Sequence, residues 1–367
     1  MAIGERADVV VIGAGIFGLS VAWSALAQGL SVTVLEAAEV GAGASGGLVG
    51  ALSPHVPEQW NGKKAFQLTA LLSAERHWAE VAAVGGSDPG YRRTGRWLPL
   101  RTAAQRARAL ERAEGARLLW QGQAAWQVRP PAHAWLAPGA AAAGIVHETL
   151  TARLRPRAAC VALAAAVRAR GGRIVEGCAV RTVAAGRVET LRGAEITADR
   201  IVVAAGAAAF GLLAAEPGDL GSAVKGQAAL LRAPVPGHAP VIFDDGVYVV
   251  PQGGGRVAVG STSERDFADP DSLDSRLDPL LARARALCPA LRGAAVVERW
   301  AGLRPKARRR DPMLGPVPGL PGVWVAGGGF KIGLGIAHHA GRAVAEMLTG
   351  GDPDLPDSFS VSHHARA

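Results

Sequence analysis

The 367-residue chain is long enough for about two domains, and at 49% apolar and 19% charged it is excluded from the disordered class. Its net charge of +9 raises nucleic acid as a partner, but aromatic residues make up only 5% and form no evident stacking platform, which argues against it. Three cysteines (Cys160, Cys178, Cys288) lack metal-ligand spacing and suit structural thiols in a reducing cytoplasm; no run approaches a membrane span, and no apolar leader precedes the first strand at Asp8.

The first predicted element is a short β-branched run, Val9 to Ile12, suited to a buried parallel strand. Gly13, Gly15 and Gly18 follow as G-x-G-x-x-G. The first allows a tight turn, the second lets backbone approach a pyrophosphate, and the third lets the following helix pack on the strand. That helix ends at Gly29, and residues 31–35 form the next strand. Glu36 comes eighteen residues after Gly18, placed to accept hydrogen bonds from both ribose hydroxyls. Strand, glycine turn, helix, strand and acid together predict a dinucleotide site with its phosphates at a helix N-terminus. The acid would repel a 2′-phosphate, so NADP is disfavoured while NAD and FAD stay open.

Gly41 to His55, G-A-G-A-S-G-G-L-V-G-A-L-S-P-H, is too rich in small residues for an ordinary helix or strand. It suits backbone lying against a flat ligand, with Ser45 free to bond a phosphate. The stretch R-T-G-R-W-L-P-L (Arg93 to Leu100) reads as a strand. Residues 151–171 carry a helical pattern that stops at Gly171-Gly172. Residues 173–203 give several strands with turns at Gly186 and Gly193, and the last runs into the small-residue turn holding Ala205 and Gly206. Residues 225–262 alternate apolar and polar side chains, as antiparallel strands do, and put Tyr248 and Val250 on one face. Residues 278–287 are helical. In Pro321 to Leu348 a strand leads through G-G-G-F-K into a long helix, aiming a second helix N-terminus at an electron-rich group. The tail from Gly351 reads as extended.

Three blocks carry a family resemblance: G-A-S-G-G-L-V-G-A-L-S-P, V-Y-V-V-P-Q-G-G-G-R-V-A-V-G-S-T-S-E (Val247 to Glu264) and W-A-G-L-R-P-K-A-R-R-R-D-P-M-L-G (Trp300 to Gly315). With their spacing, the chain from Asp8 to about Leu348 resembles the D-amino acid oxidase superfamily of FAD-dependent oxidoreductases, the glycine oxidase and sarcosine oxidase group. The resemblance implies an α/β fold: a Rossmann-type FAD-binding domain interleaved with an α+β substrate domain built on an antiparallel sheet. The corresponding bounds are 1–85, 150–220 and 311–350 for the first, 86–149 and 221–310 for the second, and 351–367 for the tail. It assigns noncovalent FAD, since no cysteine falls between Arg304 and Lys331, to Gly13, Gly15, Ile16, Gly18, Glu36, Ala44, Ser45, Gly46, Gly47, Leu48, Val180, Ala205, Gly206, Gly328, Gly329, Phe330, Lys331 and Gly333. Val180 is the position where relatives' backbone meets adenine.

For catalysis it points to Arg304, in G-L-R-P, as the grip on a substrate carboxylate, a role suited to the bidentate guanidinium. It gives Tyr248 a hydrogen bond to the same carboxylate. Lys331 stands in a segment resembling the sarcosine-oxidase pattern, near flavin and carboxylate, so the chain mixes features of two substrate groups. His55 either faces the substrate or is a satisfied structural histidine; His338 and His339 read as structural. The implied activity is oxidation of the C–N bond of an amino acid or N-substituted amino acid by hydride transfer to flavin, giving an imine and then a keto acid, with O2 as acceptor. A dehydrogenase using a quinone or other acceptor and a tRNA-modifying FAD enzyme are the alternatives. The basic residues Arg299, Arg304, Lys306, Arg308, Arg309 and Arg310 are expected in a surface loop that steers acidic substrates. Side-chain preference, stereochemistry and homo-oligomer formation stay open.

Overall fold

The structure is a computed structural model and describes residues 7–131, 135–213 and 219–365. The expectations that include residues 1–6, 132–134, 214–218 and 366–367 fall partly outside the described residues.

The chain begins with strand β1 (Val9–Ile12), helix α1 (Ile16–Ala27) and strand β2 (Val32–Leu35). A 3-10 turn (Ala44–Gly46) and β3 (Ala51–Leu52) lead to the long helix α2 (Gly62–Gly85). Next come β4 (Arg96–Leu100), α3 (Ala103–Trp120), β5 (Trp126–Arg129), β6 (Gly144–Glu148), β7 (Ala152–Arg153) and α4 (Pro156–Ala169). Then follow β8 (Arg173–Val175), β9 (Val180–Ala184), β10 (Arg187–Thr190), β11 (Glu195–Thr197), β12 (Arg200–Val203) and α5 (Ala208–Leu213). The remainder is β13 (Gly221–Arg232), β14 (Val241–Asp244), β15 (Val247–Gly253), β16 (Arg256–Gly260), α6 (Leu277–Leu287), β17 (Ala295–Ala307), β18 (Met313–Pro316), β19 (Val323–Gly327), α7 (Gly333–Leu348) and α8 (Val361–His364).

Two large sheets organise these elements. The six-stranded sheet has the order β18-β19-β12-β1-β2-β8, parallel except for the edge strand β18. Its central strand β1 is buried at all four positions, which accounts for an uninterrupted apolar run rather than an alternating one. Helices α1, α2, α4 and α7 pack against one face through Leu19, Trp78, Leu163 and Ile336. α1 and α7 cross closely because Gly341 offers no side chain: a Cβ there would lie 2.5 Å from the Ser20 carbonyl carbon. The other face packs against the small sheet β11-β10-β9.

The eight-stranded sheet has the order β17-β13-β16-β15-β14-β4-β6-β5. Its pairs are antiparallel except β4 with β14, which run parallel, so the sheet is mixed at one ladder. The long partners β13 and β17 pair from Gly221 opposite Ala307 to Arg232 opposite Ala295.

Several expectations are corrected. The helix predicted over 151–171 starts only at Pro156, whose fixed φ suits the first helical position, while 152–153 pairs with β3. Helix α3 was not foreseen; a Thr102–Gln105 capping box starts it, a local signal set within a polar stretch. The tail is not extended but folds back, with Phe359 1% and His364 0% exposed. Phe359 meets Phe66 edge-on at 5.1 Å, so burial of aromatic surface holds it there. The basic run is not a surface loop: Arg299, Arg304 and Lys306 belong to β17, and only Arg308 to Arg310 fall beyond it.

Candidate active site

Glycine chemistry builds the first part of the site. Gly13 takes φ +106°, and a Cβ there would sit 2.6 Å from the Ala204 carbonyl oxygen. Only glycine fits both constraints, and they bring the Ala204–Gly206 turn against the end of β1. A Cβ at Gly18 would collide with the Gly13 carbonyl, so the third glycine seats α1 on its own turn. Gly15, at the N-cap of α1, has no side chain to bond the first-turn N–H groups. At the end of β2 the Glu36 carboxylate accepts the Ala14 N–H at 2.7 Å and the Ala38 N–H at 3.0 Å, one on each oxygen. Each oxygen keeps a lone pair for a further donor. The Cys178 N–H donates to the Glu36 carbonyl at 2.8 Å, which brings the segment entering β9 at Val180 to the same end. Ser45 is not free as expected: its Oγ accepts the Ile16 N–H at 2.9 Å, leaving its own hydroxyl hydrogen for an anion.

A cavity of about 360 Å³ opens where the two large sheets meet. Of the predicted residues it gathers Ile16, Ala44, Ser45, Gly47, Leu48, His55, Tyr248, Arg304, Gly329, Phe330, Lys331 and Gly333 on its walls. Gly13, Gly15, Gly18, Glu36, Gly46, Val180, Ala205, Gly206 and Gly328 are not on its walls; apart from Gly46 and Gly328, they form or adjoin the turn at the end of β1 and the Glu36 end. Gly46 closes the 3-10 turn and accepts a hydrogen bond from Arg157 at 2.8 Å, while Gly328, at φ +69°, packs against Ala307.

Arg304 projects from β17 opposite Val224 of β13. Its guanidinium lies over Gly226, where any Cβ would collide with it. Nη2 donates to Ser261 Oγ at 2.7 Å and to the Thr262 carbonyl at 3.1 Å. Nη1 is buried and unpartnered. Burial pushes the guanidinium down to about 10, with Glu264 acting in the opposite sense, so it stays charged at neutral pH. Glu264 does not neutralise it by contact: its oxygens are taken by Gln227 at 2.9 Å, Thr262 at 2.6 Å and Arg276 at 3.1 Å. A buried cation with an unused donor is costly without an anionic partner.

Tyr248, on β15, leans on Phe243 with ring centroids 4.5 Å apart. His55 follows the glycine-rich segment, where its N–H and Nδ1 lie 2.9 and 2.5 Å from Gln67 Oε1. Gln67 Nε2 donates to the Ser53 carbonyl at 3.0 Å, which fixes the amide with its oxygen towards His55. Because that oxygen only accepts, Nδ1 carries the hydrogen and Nε2 the lone pair. Burial holds the imidazole below its ordinary pKa; the Gln67 bond opposes this, while Lys63, Lys64 and Arg96 add to it. Lys331 lines the cavity beyond Phe330, and its pKa is lowered by burial and by the nearby charge of Arg304.

Gly226, Ser261, Gln67 and Trp300 were not singled out in the sequence. Trp300 stood inside a quoted motif; its indole packs between Gly47 and Gly302. Ser261 likewise stood inside the block Val247 to Glu264, whereas Gly226 and Gln67 answer to neighbours far away in the chain and leave no local pattern.

The profile of the FAD dependent oxidoreductase family matches residues 8–347. The chain belongs to this family. A glycine oxidase of Pseudomonas putida is 31% identical over 362 residues, covering 94% of this chain and 95% of the relative. A glycine oxidase of Geobacillus kaustophilus is 29% identical over 374 residues, covering 94% and 93%. The crystal structure of glycine oxidase from Geobacillus kaustophilus matches with TM-score 0.84 at 24% identity, over 99% of this chain and 100% of that one. Iminodiacetate oxidase from Chelativorans sp. BNC1 matches with TM-score 0.82 at 24% identity, over 96% and 98%. The protein is thus an FAD-dependent oxidoreductase of glycine oxidase type.

The residues present fit FAD. The uncapped start of α1 and the Ser45 hydroxyl suit a pyrophosphate, and the spare lone pairs of Glu36 suit ribose hydroxyls. α7 also begins without a side-chain cap, behind cavity-lining Gly329 and Gly333, and suits the electron-rich edge of a flavin ring. None of the three cysteines lines the cavity, and burial pushes Cys160 and Cys288 up to about 12.

Proposed function

We propose that this FAD-dependent oxidoreductase oxidises the C–N bond of an amino acid or N-substituted amino acid, with noncovalent FAD. The observation that carries the reading is Arg304: a buried guanidinium with Nη1 unpartnered, in a cavity that no carboxylate lines. The six-stranded sheet and its helices serve as the FAD-binding unit, and the eight-stranded sheet serves as the substrate unit. The likeness to a glycine oxidase at 31% identity supports small amino acids as first candidates.

In the reaction Arg304 binds the substrate carboxylate, and the Tyr248 hydroxyl adds a second donor. Together they fix the α-carbon relative to the reacting face. An amino acid enters as an ammonium ion, which cannot release electrons. His55 Nε2 takes that proton; its depressed pKa keeps it neutral and able to accept near pH 7. Bound FAD supplies the acceptor for the hydride leaving the α-carbon. The resulting imine adds water and breaks to an oxo acid and an amine or ammonia. O2 takes the two electrons with two protons as hydrogen peroxide, and a quinone or other acceptor is the alternative. The basic residues no longer favour an RNA substrate, since Arg299 pairs with Asp278 at 2.9 Å and Arg304 faces a small cavity.

The test is anaerobic bleaching of the bound flavin by glycine, sarcosine, D- and L-amino acids, proline and secondary amino acids, followed by peroxide measurement on admitting air. Bleaching by one amine class is expected; intact flavin with every member overturns the proposal. His55→Asn should lower kcat/KM by roughly 100-fold at neutral pH. That loss should shrink as pH approaches the pKa of the substrate amine, which then sheds its own proton.

A further inference from the structure

The cavity is lined by two cations, Arg304 and Lys331, and by no carboxylate. Backbone contacts bring their segments together. Lys306 pairs with Gly329 in an antiparallel bridge, and the Phe330 N–H donates to the Pro305 carbonyl at 3.0 Å. The chain then turns at Phe330, with φ +43° and the Ile332 N–H on the Gly329 carbonyl at 2.9 Å, and Lys331 reaches the same cavity wall as Arg304. Like charges lining one cavity repel each other. No acid relieves them locally. Glu264 is engaged by three other side chains, and Lys331 has no hydrogen-bond or ion-pair partner among the described residues. Burial lowers the pKa of the Lys331 ammonium, and the charge of Arg304 adds to the effect.

A monocarboxylic amino acid in its reactive, neutral-amine form carries one negative charge. It would satisfy Arg304 and leave the pair with one charge unbalanced. Resting on the amine-oxidation reading, we propose that the preferred substrate is an amine bearing two carboxylates, one bound by the buried Arg304 and the second by Lys331 towards the cavity mouth. N-carboxymethyl amino acids and α-amino dicarboxylic acids are the two chemical forms of that class. Lys331 then determines specificity and takes no proton or hydride.

The experiment uses the FAD-loaded enzyme and unreactive probes: calorimetric titration with glutarate and with its monoamide, glutaramate. Glutarate should bind at least about tenfold tighter, the change expected of one added charge-assisted bond. In Lys331→Gln the preference should fall to about one, and Lys331→Arg should restore most of it. No preference in the native enzyme overturns the proposal. So does equal weakening of both probes in Lys331→Gln, which would mean that the two cations share one carboxylate. Turnover of iminodiacetate against its monoamide, and of D-aspartate against D-asparagine, identifies the form. Failure of every amine to reduce the flavin defeats the amine-oxidation reading instead, and the two binding ratios still judge the second-carboxylate site.

Discussion

The two large sheets contribute to the site in different ways. The parallel sheet delivers its part through residues close together in the chain: Gly13 to Glu36 make a turn, a helix start and a carboxylate within one strand–helix–strand unit. The largely antiparallel sheet delivers its part by convergence. Tyr248 comes from β15, Arg304 from β17, Ser261 from just beyond β16, and Gly226 from β13 beneath the guanidinium. A substitution in the first region strikes backbone geometry. In the second it strikes one side chain at a time, because the ladder underneath stays intact.

That contrast breaks most sharply at Arg304. Arg304→Met removes the buried cation but not the strand, and kcat/KM for a carboxylate substrate should fall by roughly 30- to 1000-fold, about 2–4 kcal/mol. The flavin content should be unchanged; loss of FAD would show that the two regions are not separable. At Gly13 the opposite pattern is expected. Gly13→Ala forces a Cβ against the Ala204 carbonyl at positive φ, costing about 1–3 kcal/mol, read as lower melting temperature and reduced FAD retention. Full FAD retention would contradict the tight-turn account.

The helical layer over the parallel sheet carries a third test. His77 and His338 stack with centroids 4.8 Å apart, and His339 sits 4.5 Å from Phe66. Burial holds His77 and His339 at about 4 and His338 well below its ordinary value. The unfolded chain binds these protons near pH 6.5 and the folded chain does not. Stability should therefore be complete above 6.5 and fall as pH drops towards 4, with a slope of up to about 1.4 kcal/mol per pH unit for each histidine. Denaturant melts at pH 7, 6 and 5 check this, and a flat profile would refute the burial argument. The smallest effect is expected at Tyr248, where Tyr248→Phe removes one hydrogen bond and should raise KM by up to about tenfold. An unchanged KM would remove the tyrosine from carboxylate binding.

Legibility in the sequence followed the same division. The glycine turn and Glu36 could be read because each glycine answers to a neighbour a few residues away or to the ligand itself. Tyr248, Arg304 and Lys331 were found through motif resemblance, and the cavity brings all three together. Gly226 could not be found that way: its reason is a guanidinium on the neighbouring strand. Gln67 likewise matters only because α2 passes beside His55. The tail misled for a related reason, since proline and serine suggest extension while Phe359 finds Phe66 only in the folded chain.

By itself the sequence determined the local units: a buried apolar strand, a turn that only glycine can make, and helix starts with unpaired N–H groups. Those follow from sterics and hydrogen bonding over a few residues. Only the tertiary structure decided which charges end up side by side and which are neutralised. Glu264 is spent on Gln227, Thr262 and Arg276, while Arg304 and Lys331 share a cavity with no acid. Charge balance depends on distances across strands, and strand register is set by the packing of the whole sheet.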